Sequence, residues 1–216
     1  MGRMTSYMSI LIDGGILAGG LSTRMLGKDK GLQKLNGQAM AKSVSQALLP
    51  HVRTLYINCN QNFDRYRRIC PNVRSDTIEG YHGPLAGLVS LMNASTADYL
   101  LVSPCDTPYI SETFGLRMLE ALKRTLKNQV LRNEPSASLI FASKDANRYH
   151  PLHLLISTQY QLKLEQALQQ GQNRVMQWVN NNNAQWIDFS DHTGQFSNFN
   201  SPDALLNPHS STYPRD

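Results

Sequence analysis

The segment Leu17-Ala18-Gly19-Gly20-Leu21-Ser22-Thr23-Arg24-Met25-Leu26-Gly27-Lys28-Asp29-Lys30 combines glycines, an arginine and a lysine directly after an apolar run. Glycine lets a backbone approach a phosphate closely and aim consecutive N–H groups at its oxygens. Arg24 offers a planar fork to those oxygens and Lys30 a compact charge. Two glycines after a strand are, taken bare, a turn as often as a site. Arg24, Asp29 and Lys30 tip the segment toward phosphate. The spacing is not a Walker A loop, because six residues separate Gly20 from Gly27 and Asp29 follows Lys28 where Ser or Thr is required. Nor is it G-x-G-x-x-G, so a Rossmann dinucleotide site is disfavoured.

Asp106 is the second chemical element. It follows the apolar run Tyr99 to Ser103 and precedes Thr107-Pro108. A hard divalent cation on a triphosphate needs one or two carboxylates, with phosphates and waters filling its shell. Asp106 is placed to supply one, although an Asp in this position also caps turns and helices. Asn58 reads equally as a strand-end turn residue and as a ligand contact. Asp76 ends a possible strand and opens a loop, where its carboxylate is free to accept hydrogen bonds. His82, His150 and His192 lack the spacing of a metal triad and read as single core or surface histidines.

Composition narrows the class of partner. The 216 residues carry a formal charge of +5, with 41% hydrophobic and 17% charged residues, so polar surface must come from Asn, Gln and Ser. A basic balance favours anionic partners. The cations are scattered, and their densest run (Arg65, Arg67, Arg68) is short, so the footprint of nucleic-acid binding is missing. Small phosphorylated substrates fit better. The three cysteines, Cys59, Cys70 and Cys105, show no CxxC spacing and read as buried thiols of a reducing cytoplasm. No apolar run reaches the length of a membrane span, and residues 1–9 lack the apolar centre of a signal peptide. Met1-Gly2 with Ser6 matches a myristoylation pattern by chance.

The elements that must position these residues alternate between strand-like and helix-like patterns. Strands are predicted at Leu11–Leu17, Thr54–Asn58, Val73–Asp76, Tyr99–Ser103, Ser138–Ala142 and Leu152–Ile156. Helices are predicted at Met40–Leu49, Asn62–Arg68, from Pro84, at Glu112–Lys127 and at Thr158–Gln170. Asn180–Asn183 reads as a solvated turn. This βαβα order implies a three-layer αβα fold, an open, mostly parallel sheet with helices on both faces. Ligands of such sheets bind beyond the carboxyl ends of the strands. The loops starting at Ala18, Asn58, Asp76 and Pro104 all leave such ends and should meet on one rim. A single domain is expected over 10–207, in two halves of about 10–110 and 111–207, with loose ends at 1–9 and 208–216.

The combination LAGGxSxRM…DK with CDTP after an apolar strand resembles the molybdenum cofactor guanylyltransferases, the MobA-like nucleotidyltransferases. The resemblance continues through Gly83-Pro84-Leu85-Ala86-Gly87, His150-Pro151, Arg174-Val175-Met176, Ile187-Asp188-Phe189-Ser190-Asp191-His192 and Asn198-Phe199-Asn200-Ser201-Pro202. LAGG alone is shared by many nucleotidyltransferases; the FSDH and NxNSP segments are more specific. Leu26 stands where glycine is common, and Ser201 where threonine is frequent.

The resemblance implies a cytoplasmic enzyme with the nucleotide-diphospho-sugar transferase type of Rossmann-like fold. It would transfer GMP from GTP to a molybdopterin and release pyrophosphate, with Mg2+ as cofactor. By position, Leu17, Ala18, Gly19, Gly20 and Lys30 match the nucleotide-binding segment, Asn58 and Asp76 further nucleotide contacts, and Asp106 the magnesium and nucleotide ligand. Lys30, Arg24 and Asp106 are the expected catalytic groups. Arg174, Asn198 and Asn200 are candidates for the acceptor, and the two asparagines read equally as an Asx turn before a helix near Pro202. Transient contact with proteins that deliver and accept the cofactor is a further implication. The rival readings are a cytidylyl- or sugar-phosphate nucleotidyltransferase on the same fold and a non-catalytic nucleotide- or cofactor-binding module.

Overall fold

The computed structural model describes residues 10–19, 29–78, 83–132 and 139–199. Its elements, in chain order, are β1 (Ile12–Leu17), the short hairpin β2 (Lys34–Leu35) and β3 (Gln38–Ala39), α1 (Met40–Leu48), β4 (Leu55–Asn58), α2 (Phe63–Arg67), β5 (Val73–Arg74), α3 (Pro84–Ala94), β6 (Tyr99–Pro104), α4 (Glu112–Arg132), β7 (Ile140–Lys144), β8 (Tyr149–Ser157), α5 (Gln161–Gln169), α6 (Val175–Asn181) and β9 (Gln185–Asp188).

Seven strands form the main sheet in the order β5-β4-β1-β6-β8-β7-β9. β1 pairs in parallel with β4 on one side and β6 on the other, whereas β8 is antiparallel to β6 and β7. Every strand of this sheet except β8 therefore runs the same way, which is the mostly parallel, three-layer αβα architecture. Side chains alternate across the sheet with period two. Ile16, Leu101, Phe141 and Leu155 enter one core with Val44 and Leu48 of α1 and Phe114 and Met118 of α4. Leu17, Leu100, Val102, Leu154 and Ile156 enter the other, with Leu88 of α3, Leu164 of α5 and Trp178 of α6.

The glycines that interrupt the first strand in composition are required by its neighbours. A Cβ on Gly14 would lie 2.7 Å from Leu55 Cδ1, and one on Gly15 2.7 Å from Leu91 Cδ1. These absences of side chain let β4 and α3 seat closely on the central strand. From β1 the chain crosses by α1 to β4 on one side, and after β5 it crosses by α3 to β6 on the other. β1 is thus the topological switch point, and the crevice at its carboxyl end is where such sheets place ligands.

Several boundaries differ from the sequence reading for local reasons. The strand expected to reach Asp76 ends at Arg74, and the one expected at Leu152–Ile156 runs from Tyr149 to Ser157. The strand expected at Ser138–Ala142 runs from Ile140 to Lys144. A 3-10 turn at Thr158–Tyr160 precedes α5, with Ser157 accepting from the Gln159 N–H as a cap. The β2–β3 hairpin, α6 and β9 escaped the pattern. Asn36-Gly37, with φ of 51° and 82°, forms the hairpin turn and is a strong local signal. The Asn180–Asn183 run is a helix end: Asn182 is buried and donates to the Trp178 carbonyl at 2.7 Å, and Asn183 takes φ of 53°.

Candidate active site

The predicted rim is real. A cavity of about 240 Å³ opens at the carboxyl ends of β1, β4 and β6. Its walls include Leu17, Ala18 and Gly19 after β1, Asn58 at the end of β4, Asp76 after β5, and Cys105 and Asp106 after β6. Asp29, Lys30, Gly83, Pro84, Pro104, Leu152 and Asn198 complete the lining. The register explains the convergence. Leu17 sits opposite both Asn58 and Pro104, the Ala18 N–H donates to the Asn58 carbonyl (2.8 Å), and the Cys105 N–H donates to the Leu17 carbonyl (3.0 Å). The loops after the three strands leave the sheet side by side.

Lys30 and Asp106 face each other across this cavity. Lys30 Nζ lies 3.6 Å from Asp106 Oδ2, and only 15% of the Asp106 side chain is exposed. Burial pushes the Asp106 carboxyl above its usual range, and the Lys30 charge opposes the shift. A largely desolvated carboxylate beside an ammonium offers the kind of oxygen donor that a hard cation takes. Among the described residues no group of three or more His, Cys, Asp or Glu gathers to hold a metal. One carboxylate of this kind is compatible with a hard cation that takes one or two carboxylates and completes its shell with phosphates and water.

Asp29, adjacent in sequence to Lys30, has a different task. Its buried carboxylate accepts from the Tyr66 hydroxyl through Oδ1 and from Asn62 Nδ2 through Oδ2 at 3.1 Å. Burial first, and then the charges around it, keep the Tyr66 hydroxyl protonated. The sequence reading grouped Asp29 with the phosphate-side residues. Its carboxylate instead anchors the turn that presents Lys30. Gly31 is required here, since a Cβ would meet the Tyr66 hydroxyl at 2.5 Å and Cys105 Cβ at 3.1 Å.

Asn58 and Asp76 meet directly. Asn58 is buried, and its Nδ2 donates to Asp76 Oδ1 at 2.9 Å. Asn60, in the bend two residues past the end of β4, donates to Asp76 Oδ2 at 2.7 Å and to the Gly19 carbonyl at 3.2 Å. The Asp76 N–H donates back to Asn60 Oδ1 at 2.9 Å. Gly19 is small for these neighbours: a Cβ would stand 2.7 Å from Asn58 Oδ1 and 3.2 Å from Asn60 Nδ2. Gly87, on the first turns of α3, is confined by the same Asn58 oxygen. Gly83, with φ of 67°, turns the chain into that helix, and Pro84 fills its first position.

The Asp106 turn is held from below. Thr107 Oγ1 lies 3.2 Å from the Pro104 carbonyl and 3.0 Å from His153 Nε2. With the single hydroxyl proton given to the carbonyl, His153 Nε2–H donates to Thr107. Burial holds His153 neutral, well below the usual imidazole range. His150 Nε2 pairs with Asp145 Oδ2 at 2.8 Å, and its ring packs 4.5 Å from Phe196. Neither histidine is a surface residue, and the two stack edge to face at 5.9 Å. The Phe199 N–H donates to the Asp106 carbonyl at 3.0 Å, so Asn198 reaches the cavity wall from the far end of the chain.

Other expected residues lie elsewhere. Arg174 is exposed at the N-cap of α6 and does not line the cavity. Gly20, Arg24, His82 and Asn200 lie outside the described residues, as do Leu26 and Ser201. In the FSDH segment, Arg117 clasps Asp191 with both amino groups and lies 5.2 Å over the Phe189 ring. That segment therefore closes the fold around α4. Tyr66, Asn60, Asn62 and His153 were missed because their roles are visible only once distant elements are assembled.

The model of the MobA-like NTP transferase domain matches residues 14–185. The molybdenum cofactor guanylyltransferase of Haemophilus influenzae strain Rd is 35% identical over 92% of this chain and 97% of its own. That of Shewanella sediminis is 38% identical over 91% and 94%. Among solved structures, molybdopterin-guanine dinucleotide biosynthesis protein A of Archaeoglobus fulgidus superposes with a TM-score of 0.66 at 19% identity, over 90% of this chain and 95% of that one. The fold is that of the nucleotide-diphospho-sugar transferases. A crevice at the switch point, with the Lys30–Asp106 pair on its wall, accords with relatives that match nearly end to end: the chain belongs to the MobA-like NTP transferase family of nucleotidyltransferases.

Proposed function

We propose that this nucleotidyltransferase moves GMP from GTP onto the terminal phosphate of a molybdenum-molybdopterin, giving the guanine dinucleotide form of the cofactor and pyrophosphate. The observation that carries the reading is the Lys30–Asp106 pair at 3.6 Å on the wall of a cavity shared with Leu17–Gly19, Asn58 and Asp76. Curated relatives that match over nine-tenths of the chain carry the guanylyltransferase name.

The residues divide the work by chemistry. The backbone from Leu17 to Gly19 lines the triphosphate side, and Lys30 balances charge on the β- and γ-phosphates. Asp76, steadied by two asparagines, supplies carboxylate lone pairs toward the base or ribose. A magnesium ion held by Asp106 and the phosphates would neutralise charge on the reacting and departing groups. An oxygen of the acceptor phosphate forms the new bond to the α-phosphorus as the bond to the bridging oxygen of pyrophosphate breaks. That nucleophile is anionic at neutral pH, so the site needs no strong base. The arrangement relies on positioning and electrostatics. Asn198, on the cavity wall, is the acceptor-side candidate best supported by position; Arg174 and Asn200 rest on the resemblance alone. The acceptor half is then about 111–207, and the natural setting is the cytoplasm, with brief contacts to the proteins that deliver and receive the cofactor.

The test is pyrophosphate release with molybdopterin and magnesium, comparing nucleotides. GTP should support turnover and CTP should not. Equal turnover with CTP would overturn the guanine assignment and favour the cytidylyl alternative. Binding of GTP without any pyrophosphate release would instead favour a non-catalytic module.

A further inference from the structure

We infer that Asn60 is a positioning residue for the nucleotide, locking Gly19 and Asp76 into one unit; this rests on the nucleotide reading of the cavity. Asn60 uses both amide hydrogens and its carbonyl oxygen across the two sides of the site. Nδ2 donates both to the Gly19 carbonyl (3.2 Å) and to Asp76 Oδ2 (2.7 Å), while Oδ1 accepts from the Asp76 N–H (2.9 Å). Asn58 closes the other edge of the same carboxylate from its Nδ2. Asn58 at the end of β4 and Asn60 in the bend beyond it span Asp76 between them.

The chemistry sets a direction for the bridge. Both Asn60 contacts on the Nδ2 side are to acceptors, one of them charged. A carboxylate at position 60 would face the Asp76 carboxylate and the Gly19 carbonyl, acceptor against acceptor. Asn60 is itself exposed and packs in no core cluster, so its removal has little to disturb in the fold. Its effect should appear in ground-state nucleotide binding, which depends on how Gly19 and Asp76 are spaced. The separate Lys30–Asp106 pair keeps the chemical step.

The experiment is titration of the whole chain with GTP and magnesium by calorimetry, alongside KM and kcat from pyrophosphate release. Asn60→Ala should weaken GTP binding and raise KM about tenfold, with kcat changed by less than about threefold. Asn60→Asp should be worse than Asn60→Ala, although it is nearly isosteric. In the Asp76→Ala background, Asn60→Ala should cost much less than it does alone, the signature of a shared interaction. The melting temperature of Asn60→Ala should stay within about 2 °C of wild type, as for other exposed substitutions. Unchanged GTP affinity in both variants, or additive losses in the double variant, overturns the inference. So does a fall in affinity that simply tracks a fall in melting temperature. A wild-type chain that fails to bind GTP overturns the functional reading itself and this one with it.

Discussion

Lys30 and Asp106 are matched in charge and unequal in surroundings. Asp106 is the more buried of the two, and its desolvation is only partly offset by the ammonium 3.6 Å away. A carboxylate in that position gains when a dication and phosphates arrive, because they replace the water it has lost. Asp106→Ala should lower kcat by about 10²–10³-fold, the scale of one lost electrostatic contact at a reacting phosphate, with the far-ultraviolet circular dichroism unchanged. Retention of near-normal turnover would remove Asp106 from the chemistry. Lys30→Ala should lower kcat/KM by about 10²-fold while the melting temperature moves little, since the Lys30 ammonium lies on the cavity wall. A large loss of stability with intact kcat/KM would make Lys30 structural instead. Asp29, one residue away, shows how little adjacency says about role. Its carboxylate is spent on Tyr66 and Asn62.

The strands deliver their residues through register, and the histidine layer under β6 and β8 fixes one of the turns they deliver. His153 is buried and neutral, bonded to Thr107 beneath Asp106, and His150 is held below the usual imidazole range by burial despite Asp145. Both native pKa values lie below the unfolded value of about 6.5. Between the native and unfolded values the unfolded chain binds more protons, so stability is full above about pH 6.5 and falls as pH drops below it. Denaturant unfolding of His153→Gln between pH 7.5 and 5 should show a shallower decline than wild type, by up to about 1.4 kcal/mol per pH unit for one group. An unchanged slope would mean that His153 is not the titrating group. At this scale the sequence was readable wherever an element is long and one-sided. β1, β4, β6 and α4 appear near their expected places, because alternating or helical spacing mirrors the cores on each face of the sheet. It was least readable where pairing decides. β9 is short and mostly half-buried, and β8 extends past its apolar core because β7 continues beside it. Site residues joined to a distinctive stretch, such as Gly19 and Asp106, were legible. Asn60 and Tyr66 were not, because their partners lie 41 and 37 positions away in the chain.

At the scale of the whole molecule, a ligand that bridges the loops after β1, β4 and β6 should hold the sheet's carboxyl edge together. GTP with magnesium at about 100 times its Kd should add about 2.7 kcal/mol of stability, seen as a rise of roughly 5–10 °C in melting temperature for a chain of this size. CTP at the same concentration should give a much smaller rise, and an equal rise would show that the cavity reads phosphate and metal without reading the base. Such a measurement separates nucleotide choice from turnover, because it needs no acceptor.

The hydrogen bond from the Phe199 N–H to the Asp106 carbonyl joins positions 93 apart, and the Phe199 ring packs 5.3 Å from Tyr109 and beside Leu35 and Met40. During synthesis, the strands that frame the crevice emerge first, yet the turn carrying Asp106, already met from below by His153, gains its hydrogen bond from Phe199 only when residues near 199 leave the ribosome. The turn that carries Asp106 is therefore completed late in the chain. Anything that intercepts the segment around Phe199, whether an early stop or a fused tag that pulls it away, would reach the reacting centre without touching a single nucleotide-contacting residue.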